Sequence, residues 1–331
     1  MKVILIIIDG AMTNDYKDCE NINYIMKNGD YGFVENTPKG LSPNSLTCIL
    51  NILGVDKKYI PNGRAYLEAL AVNEKVEKDD LIFRCNNIQI HDGKLTSSCS
   101  IENSIPKSMP SNTKLIKMSS YKNLLIVKGT GKFKDSIKTY PPHENINKNI
   151  AEIMPECNDY NLQELMNNLI TKDSLYPWGE AVLEYIPSFE EIHNMKGAIV
   201  CKTEIVKGIG KAMKMHCPDI KNTTADVDTD LLAKGKTALD LIEHYDFVLL
   251  HINGSDESAH RKNQAEKVDF IKKIDNELLN YLIKNLKDDT SLIITSDHGT
   301  SSESGKHVSD TVPYYILNKN NQCDLWLKRN Q

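Results

Sequence analysis

The sequence predicts an α/β protein, with a mostly parallel sheet flanked by helices and a smaller α+β domain inserted into it. Three observations predict this fold. Residues 3–8, 247–253 and 292–295 are apolar runs without polar alternation, which is typical of strands buried on both faces of a parallel sheet. Helical periodicity separates the later runs. Between about residues 61 and 197 the pattern changes to short strands, tight turns and Pro- or Gly-rich loops.

The composition is that of a globular protein large enough for two domains. The chain has 331 residues, of which 40% are hydrophobic and 26% charged. A net charge of −5 gives no reason to expect nucleic acid or an anionic membrane as a partner, although 40 Lys and Arg residues leave room for a local cationic pocket. Eight cysteines without a C-x-x-C pair argue against a zinc ribbon or a disulfide scaffold. We therefore expect reduced core cysteines and a cytoplasmic location.

The first predicted strand, residues 3–8, is too short for a signal peptide or a membrane span. It ends in Asp9-Gly10. Ligands of open α/β sheets gather at the carboxyl ends of the strands, so an acid at this position is a candidate for binding. The alternative for Asp9 is a simple Asp-Gly turn.

A turn-rich loop at residues 38–45 precedes a short apolar helix that is closed by Gly54. Ser45 is thereby predicted to lie at a helix N-terminus. Unpaired backbone N–H groups and the helix dipole favour a phosphoryl group there. The alternative is that Asn44 or Ser45 only caps the helix.

The middle of the chain is predicted to form the inserted domain. The predicted elements are a turn and short helix at 62–71, strands at 81–85, 88–90 and 123–128, a helix around 162–169, and a loop at 176–179. We place the inserted domain at 72–196, between the two parts of the first domain, 1–71 and 197–331. Because the chain crosses between the domains twice, we expect the insertion to bind substrate and act as a lid.

The parallel-sheet pattern returns in the last third of the chain. We predict a strand at 198–201, helices at 208–215 and 231–244, a strand at 247–253, and a long amphipathic helix over 268–286. After the second of these strands come Asp256 and His260. Residues four apart share one face of a helical turn, so this pair is able to hold one metal ion.

The final strand, residues 292–295, runs into Asp297-His298, and His307 follows beyond a Ser-, Gly- and Glu-rich loop. Oxygen and nitrogen ligands can converge from both sides of that loop. Such a set suits Zn²⁺ or Mn²⁺ better than Ca²⁺ or a structural thiolate site. Taken alone, an Asp-His pair at a strand end is more often a capping or turn pair, so the metal interpretation depends on the other motifs.

The motifs occur in a familiar order. They are VILIIIDG, PNSL, NGRAYLEAL, FRCN, PPHEN, DESAH, SDHG and KHVSDTVP. The chain resembles the cofactor-independent (2,3-bisphosphoglycerate-independent) phosphoglycerate mutases of the archaeal type, in the alkaline phosphatase superfamily. The resemblance spans nearly the whole chain, and the most specific motifs are DESAH, SDH and the segment from KH to VP. It implies an alkaline-phosphatase-like fold and the glycolytic interconversion of 2-phosphoglycerate and 3-phosphoglycerate.

The resemblance also implies a site with two divalent ions, Mn²⁺, Zn²⁺ or Co²⁺, and no requirement for bisphosphoglycerate. The implied ligands are Asp256, His260 and His307 for one ion, and Asp9, Ser45, Asp297 and His298 for the other. Ser45 would also be the nucleophile, forming a phosphoserine intermediate on a small phosphoester substrate. The candidates for holding the phosphate and carboxylate of that substrate are Arg84, Lys207, His143 and Arg64.

Two motifs depart from the family pattern. Asn44 and Leu46 flank Ser45 where the family has Gly and Asp, and Ser258-Ala259 replaces a pair that ends in Gly. The chain also looks short for the family. These departures keep two alternatives open: a metal-dependent phosphatase or phosphotransferase (for example homoserine-kinase-like) on another small phosphoester, and a catalytically silent metal-binding relative. The intact Ser45 and metal ligands count against the silent relative. The oligomeric state is not predicted.

Overall fold

The computed structural model describes residues 2–101, 106, 108–118 and 120–317. The chain divides into two compact units, with breaks between Ile60 and Pro61 and between Tyr185 and Ile186. The first unit therefore contains both ends of the chain, and the second is one continuous segment.

The strands and helices of both units are numbered in chain order. The strands are β1 (Lys2–Ile8), β2 (Asp30–Val34), β3 (Leu81–Asn87), β4 (Gln89–His91), β5 (Lys94–Ser97), β6 (Thr113–Lys117), β7 (Lys122–Val127), β8 (Leu175–Ala181), β9 (Gly197–Val200), β10 (Phe247–Ile252), β11 (Thr290–Thr295), β12 (Gly299–Ser301), β13 (Lys306–Val308) and β14 (Val312–Leu317). The helices are α1 (Glu20–Asn28), α2 (Ser45–Ile52), α3 (Ala65–Ala71), α4 (Tyr160–Asp173), α5 (Phe189–His193), α6 (Glu204–Ala212), α7 (Leu231–Ile242), α8 (Gly254–His260), α9 (Gln264–Lys273) and α10 (Asn280–Asn285).

The first unit is built on a mostly parallel sheet with the strand order β2-β14-β11-β1-β10-β9. The central strand β1 pairs in parallel with both β10 and β11, and β9 pairs in parallel with β10. β14 and β2 are antiparallel and form one edge. The apolar side chains of β1, β10 and β11 are buried, as expected for strands covered on both faces. The predicted α/β fold class is confirmed.

One face of this sheet packs against α1, α7 and the helices that follow α8. Ile4, Ile6 and Ile8 of β1 lie in this core. The long helix predicted over 268–286 is not uniform, because a π-helical segment at Ile274–Leu279 separates α9 from α10. Within that segment Asp275 accepts hydrogen bonds from the backbone N–H groups of Asn21 and Ile22. The irregular turn thus provides the cap for α1, which is a requirement that helical periodicity does not reveal.

The second unit contains an antiparallel sheet with the order β6-β7-β3-β8, a separate hairpin of β4 and β5, and α4 packed on the sheet. Its limits, 61 and 185, lie eleven residues before the predicted 72 and 196 at both ends. Two contacts explain the shift. α3 contacts β3 and β8 and belongs to the second unit. Phe189 of α5 stacks on Phe247 of β10, with ring centroids 4.8 Å apart, which places α5 in the first unit.

The prediction of a loop at 176–179 is wrong, because these residues lie in β8. β8 pairs with β3, with Pro177 opposite Cys85. An edge strand tolerates proline when its missing N–H would not have joined the ladder. Tyr176 and Trp178, the flanking aromatic residues, are buried and stabilise the strand by packing. Proline and glycine punctuation was therefore outweighed by the burial of aromatic side chains.

The cysteines only partly match the expectation of core residues. Cys19, Cys48, Cys85 and Cys201 are buried free thiols, and Cys157 and Cys217 are partly buried. Cys99 is exposed, which contradicts a core position, and Cys323 lies outside the described residues. Within the described part of the chain, no helix is both long enough and apolar enough to cross a bilayer.

Candidate metal centre

The candidate ligands collect at the carboxyl edge of the parallel strands. Asp9 directly follows β1, and Asp297 comes two residues after the end of β11. β10 leads through Asn253 into α8, which carries Asp256 and His260. Because β1, β10 and β11 are neighbours in the sheet, their carboxyl ends bring these side chains together. The predictions that Asp9 and Asp297 are neighbours, and that Asp256 and His260 share a helical face, are confirmed.

One cluster, here called the outer group, consists of Asp256, His260 and His307. Its ligand atoms lie within 4.8 Å of one another. Nδ1 of His260 lies 2.8 Å from the Gly305 carbonyl oxygen, and Nδ1 of His307 lies 3.0 Å from that of Pro43. A carbonyl only accepts, so each Nδ1 carries a proton and each Nε2 is the nitrogen available to a cation. In the metal-free protein the Nε2 of His260 is also protonated and donates to Asp256 Oδ2 at 3.1 Å. The two Nε2 atoms face each other at 3.2 Å, an arrangement that a shared cation would stabilise.

A second cluster, here called the inner group, consists of Asp9, His251 and Asp297. Its ligand atoms also lie within 4.8 Å of one another, and each residue is only 1% exposed. His251 Nε2 is 3.1 Å from Asp9 Oδ2. His298 Nε2 lies 3.7 Å from Asp9 Oδ1 and 3.4 Å from Asp297 Oδ2. Asp9, Asp256 and His298 form a third set within the same distance limit, so the two groups are contiguous.

Among the described residues, the inner group and the neighbouring His298 contain polar atoms without hydrogen-bond partners. They are both carboxylate oxygens of Asp9, both ring nitrogens of His251, Asp297 Oδ2 and His298 Nε2. Burial of unpaired carboxylates is costly, and native proteins usually pair such groups or place them on metals. The donor set of carboxylate oxygens and imidazole nitrogens is one that Zn²⁺, Mn²⁺ and Co²⁺ accept. The residues present therefore fit a divalent ion.

Burial controls the protonation of the inner group. It raises the pKa of Asp9 well above the ordinary value, and the negative charges of Asp297 and Asp256 add to that shift. Burial also lowers the pKa of His251 to about 4. In the metal-free protein burial thus favours the neutral forms of Asp9 and His251, and a bound cation would reverse that preference for Asp9.

The outer group behaves differently, because its charges compensate each other. Burial raises the pKa of Asp256, but its hydrogen bond with His260 outweighs burial and leaves the pKa well below its usual value. The same hydrogen bond raises the pKa of His260 to about 9. Burial, together with the neighbouring His298, lowers the pKa of His307. Without metal the outer group is thus an ion pair with a neutral histidine beside it.

Ser45 is the first residue of α2 and is partly buried. Asn44 is the N-cap, and its side chain accepts a hydrogen bond of 3.1 Å from the Thr47 N–H. The cap predicted as an alternative role is thus filled by Asn44, and Ser45 remains a candidate nucleophile. The Pro43 carbonyl, two residues before Ser45, is the hydrogen-bond acceptor of His307. This contact ties the serine loop to the outer group.

His251 was not among the residues predicted to bind metal. The sequence signal was a single histidine within the otherwise apolar FVLLHI of β10. Residue 251 pairs with Ile7 in the parallel register, so its side chain lies on the same face as Asp9. That placement makes His251 a candidate third ligand of the inner group, or a residue that holds Asp9 in place.

Three of the four residues predicted to bind substrate lie close together in the second unit. Arg64 Nε and Arg84 Nε bond the two oxygens of Glu68, at 2.7 and 3.1 Å. The Arg84 guanidinium lies 4.3 Å from the Trp178 ring, and the His143 ring lies 5.4 Å from the same ring. Burial raises the pKa of Glu68, but the two arginines outweigh it and lower the pKa. Two cations on one carboxylate leave a net positive charge that is available to an anion.

Lys207 is the fourth predicted residue and lies on α6, in the first unit. Its ammonium pairs with Asp219, which is largely exposed. Lys207 and the two arginines thus belong to different units. Because the carboxylate of this pair is exposed to solvent, the pair contributes little to stability, and the lysine can exchange its partner at small cost.

Comparison with known proteins points to one superfamily. A family model described as the Metalloenzyme superfamily matches residues 1–329. The chain is 27% identical over 328 residues to a protein of Methanothrix thermoacetophila named 2,3-bisphosphoglycerate-independent phosphoglycerate mutase. That alignment covers 89% of this chain and 82% of the relative.

Two solved structures share the fold. The PH0037 protein from Pyrococcus horikoshii has a TM-score of 0.75 and 23% identity, over 96% of this chain and 87% of its own. The cofactor-independent phosphoglycerate mutase from Thermoplasma acidophilum has a TM-score of 0.59 and 22% identity, over 97% of this chain and 90% of its own.

Proposed function

Because this chain belongs to the Metalloenzyme superfamily, we propose that it is a metal-dependent phosphoglycerate mutase interconverting 2-phosphoglycerate and 3-phosphoglycerate. The name of the Methanothrix relative supports this activity. The observation that carries the proposal is the junction of the inner and outer groups, with the Ser45 loop bonded to His307. This arrangement places a serine at a helix N-terminus on a loop tied to a site that fits divalent ions.

In the proposed reaction Ser45 is the nucleophile. Its Oγ forms a bond to phosphorus while the bond between phosphorus and the glycerate oxygen breaks, which leaves phosphoserine and glycerate. The other hydroxyl of the same glycerate then attacks the phosphoserine and frees Ser45. The ions, when bound, lower the pKa of a coordinated hydroxyl and neutralise charge on the phosphoryl oxygens. The backbone N–H groups at the start of α2 favour the same negative charge.

The remaining roles follow from the residues that flank the reaction. We propose Asp256, His260 and His307 as ligands of one ion, and Asp9, Ser45, Asp297 and His298 as ligands of the other. Arg64 and Arg84 are proposed to bind the carboxylate or phosphate of the substrate, with His143 and Lys207 as further contacts. Mn²⁺, Zn²⁺ or Co²⁺ are the proposed ions, bisphosphoglycerate is not required, and the second unit is proposed to serve as a lid. A cytoplasmic location is proposed from the free thiols.

The test is a product analysis with metal-stripped protein reloaded with Mn²⁺. With 3-phosphoglycerate and no bisphosphoglycerate, we expect 2-phosphoglycerate to form much faster than inorganic phosphate, and the reaction to be lost in Ser45→Ala. Asn44→Ala is the matched control, because it alters the adjacent helix cap and leaves the hydroxyl in place. Dominant release of inorganic phosphate would instead identify a phosphatase.

One observation favours the alternative of another phosphotransferase. Asn44 and Leu46 flank the serine with residues that differ from the family pattern, so the acceptor or the substrate can differ too. The same assay with a panel of small phosphoesters, homoserine phosphate included, separates the two. Turnover of such an ester without any 2-phosphoglycerate from 3-phosphoglycerate would replace the mutase proposal.

A further inference from the structure

We propose that Thr300 is a positioning residue that holds Asp256 and His298 in the geometry needed for metal binding, and so couples the two ions. The inference rests on the metal centre of the proposed function. It concerns a residue of β12 that belongs to neither ligand group.

The Thr300 hydroxyl lies between two candidate ligands. Its Oγ1 is 2.6 Å from Asp256 Oδ1 and 3.4 Å from His298 Nδ1. A carboxylate only accepts, so the hydroxyl donates its single proton to Asp256. Its oxygen is then free to accept the Nδ1 proton of His298. That tautomer leaves Nε2 of His298 as a lone pair, and Nε2 is the nitrogen that faces Asp9 Oδ1.

The backbone of Thr300 is fixed from two sides. Its N–H donates to the Gly10 carbonyl at 2.9 Å, and its own carbonyl accepts from Lys267 Nζ at 2.9 Å. Lys267 in turn pairs with Asp15 at 2.8 Å, and both of these side chains are buried. A buried ion pair of this kind is a modest source of stability but a strong constraint on position. The hydroxyl of Thr300 therefore has little freedom to move.

Gly10 shows how close these groups come to the end of β1. A Cβ on Gly10 would lie 2.8 Å from both Asp256 Oδ1 and Thr300 Oγ1. Gly10 also has a φ of +71°, which disfavours a side chain. The absence of a side chain at Gly10 thus leaves room for the hydrogen bond between Asp256 and Thr300.

These contacts join a ligand of the outer group to a histidine beside the inner group through one hydroxyl. Residues that orient metal ligands typically change metal affinity by about 10- to 100-fold when they are removed. Loss of the hydroxyl should therefore weaken both ions, whereas loss of a ligand that belongs to one set only, such as His251, would act mainly on one ion.

The experiment is a Co²⁺ titration of the metal-stripped full chain, followed by absorbance and calorimetry. Thr300→Val keeps the shape and removes the hydroxyl, and we expect about 10- to 100-fold weaker binding of both ions. Thr300→Ser restores the hydroxyl and should bind within about threefold of the wild type. Thr290→Val is the matched control, since Thr290 is also buried but its hydroxyl bonds Asp289, which belongs to neither ligand group. It should bind Co²⁺ as the wild type does.

A second readout reports on His298 alone. In ¹⁵N-histidine spectra of metal-free protein, the Nδ1-protonated tautomer of His298 should be present in the wild type and in Thr300→Ser, and be lost in Thr300→Val. Wild-type affinity in Thr300→Val, or equal losses in the Val and Ser variants, would overturn the proposal. A wild type that binds no Co²⁺ would overturn both the metal centre and this role. A wild type that binds two ions but makes no 2-phosphoglycerate would defeat only the mutase proposal.

Discussion

The inner and outer groups lie at one edge of one sheet, yet they meet solvent differently. The side chains of His260 and His307 are 40% and 26% exposed, whereas the inner residues are 1% exposed. In the outer group, protein partners satisfy the polar atoms through an ion pair and backbone carbonyls. In the inner group, both carboxylate oxygens of Asp9 and both ring nitrogens of His251 lack hydrogen-bond partners in the described part of the chain. The difference indicates that the protein itself compensates the charges of the outer group, whereas the inner group would gain more from a bound cation.

This contrast predicts an order of binding. The inner ion replaces partners that the protein does not supply, so we expect it to bind more tightly and to leave last. The outer ion has to displace a proton from His260 and break its pair with Asp256, so its binding depends on pH. Three measurements test this contrast.

The largest effect is expected for Asp9→Asn, because Asp9 belongs to the inner group and to the set that joins both groups. Activity should fall by at least about a thousandfold, and bound Mn²⁺ should decrease at both positions. Without metal, by contrast, the Asp9→Asn variant should be more stable to unfolding than the wild type at pH 8. The pKa of Asp9 is higher in the folded protein than in the unfolded chain. The free energy of unfolding therefore decreases as the pH rises from the unfolded pKa through the folded pKa.

Thermal unfolding of metal-free protein between pH 4 and 8 measures that decrease. Asp9→Asn should be as stable as the wild type at pH 4 and more stable at pH 8. A variant that is less stable at both pH values would show that Asp9 has partners within the protein, and the contrast between the groups would fail.

A smaller and more selective effect is expected for His251→Leu. This substitution removes an imidazole from the inner group. The Co²⁺ ion of the inner group should therefore bind roughly 10- to 100-fold more weakly, while the affinity for the ion of the outer group is unchanged. His216→Leu is a suitable control, since His216 stacks on Tyr245 and belongs to neither group. If His251→Leu weakens the binding of both ions equally, the inner and outer groups do not bind metal independently and the contrast between them is wrong.

The smallest effect, counted per pH unit, concerns protons. Because the pKa of His260 is raised to about 9, this side chain is protonated below pH 9 and must release its proton to bind the outer ion. The affinity of the outer site should therefore rise up to about tenfold per pH unit between pH 7 and 9, and level off above. Calorimetry in buffers of different ionisation enthalpy should find about one proton released at pH 7.5 from this group. If the affinity of the outer site does not change between pH 7 and 9, His260 does not form the ion pair with Asp256 that this prediction assumes.

The sequence was sufficient where the site depends on local patterns. Strand ends carrying Asp9 and Asp297, and the four-residue spacing of Asp256 and His260, are local patterns, so the meeting of these acids could be predicted. His251 could not, because burial on both faces of β10 hides which face each residue takes until the register with β1 is known.

Contacts between distant segments account for the other omissions. Thr300 acts through Gly10, Lys267 and Asp256, which no sequence spacing connects. Likewise, Arg64 and Arg84 were predicted to bind substrate, but their shared partner Glu68 depends on how α3 packs against β3. The first domain boundary differs from the predicted one for the same reason, because α3 belongs to the unit whose strands it packs against.

The strand order of the first unit also sets the order of folding during synthesis. β1 is the central strand, and Val3 pairs with Phe247 while Lys2 pairs with Thr290. The second unit is one continuous segment, so it can complete its sheet while most of these partners are still untranslated. Through that interval the nascent chain carries an apolar strand without its neighbours, which is the kind of segment that chaperones bind and that aggregates when they are limiting.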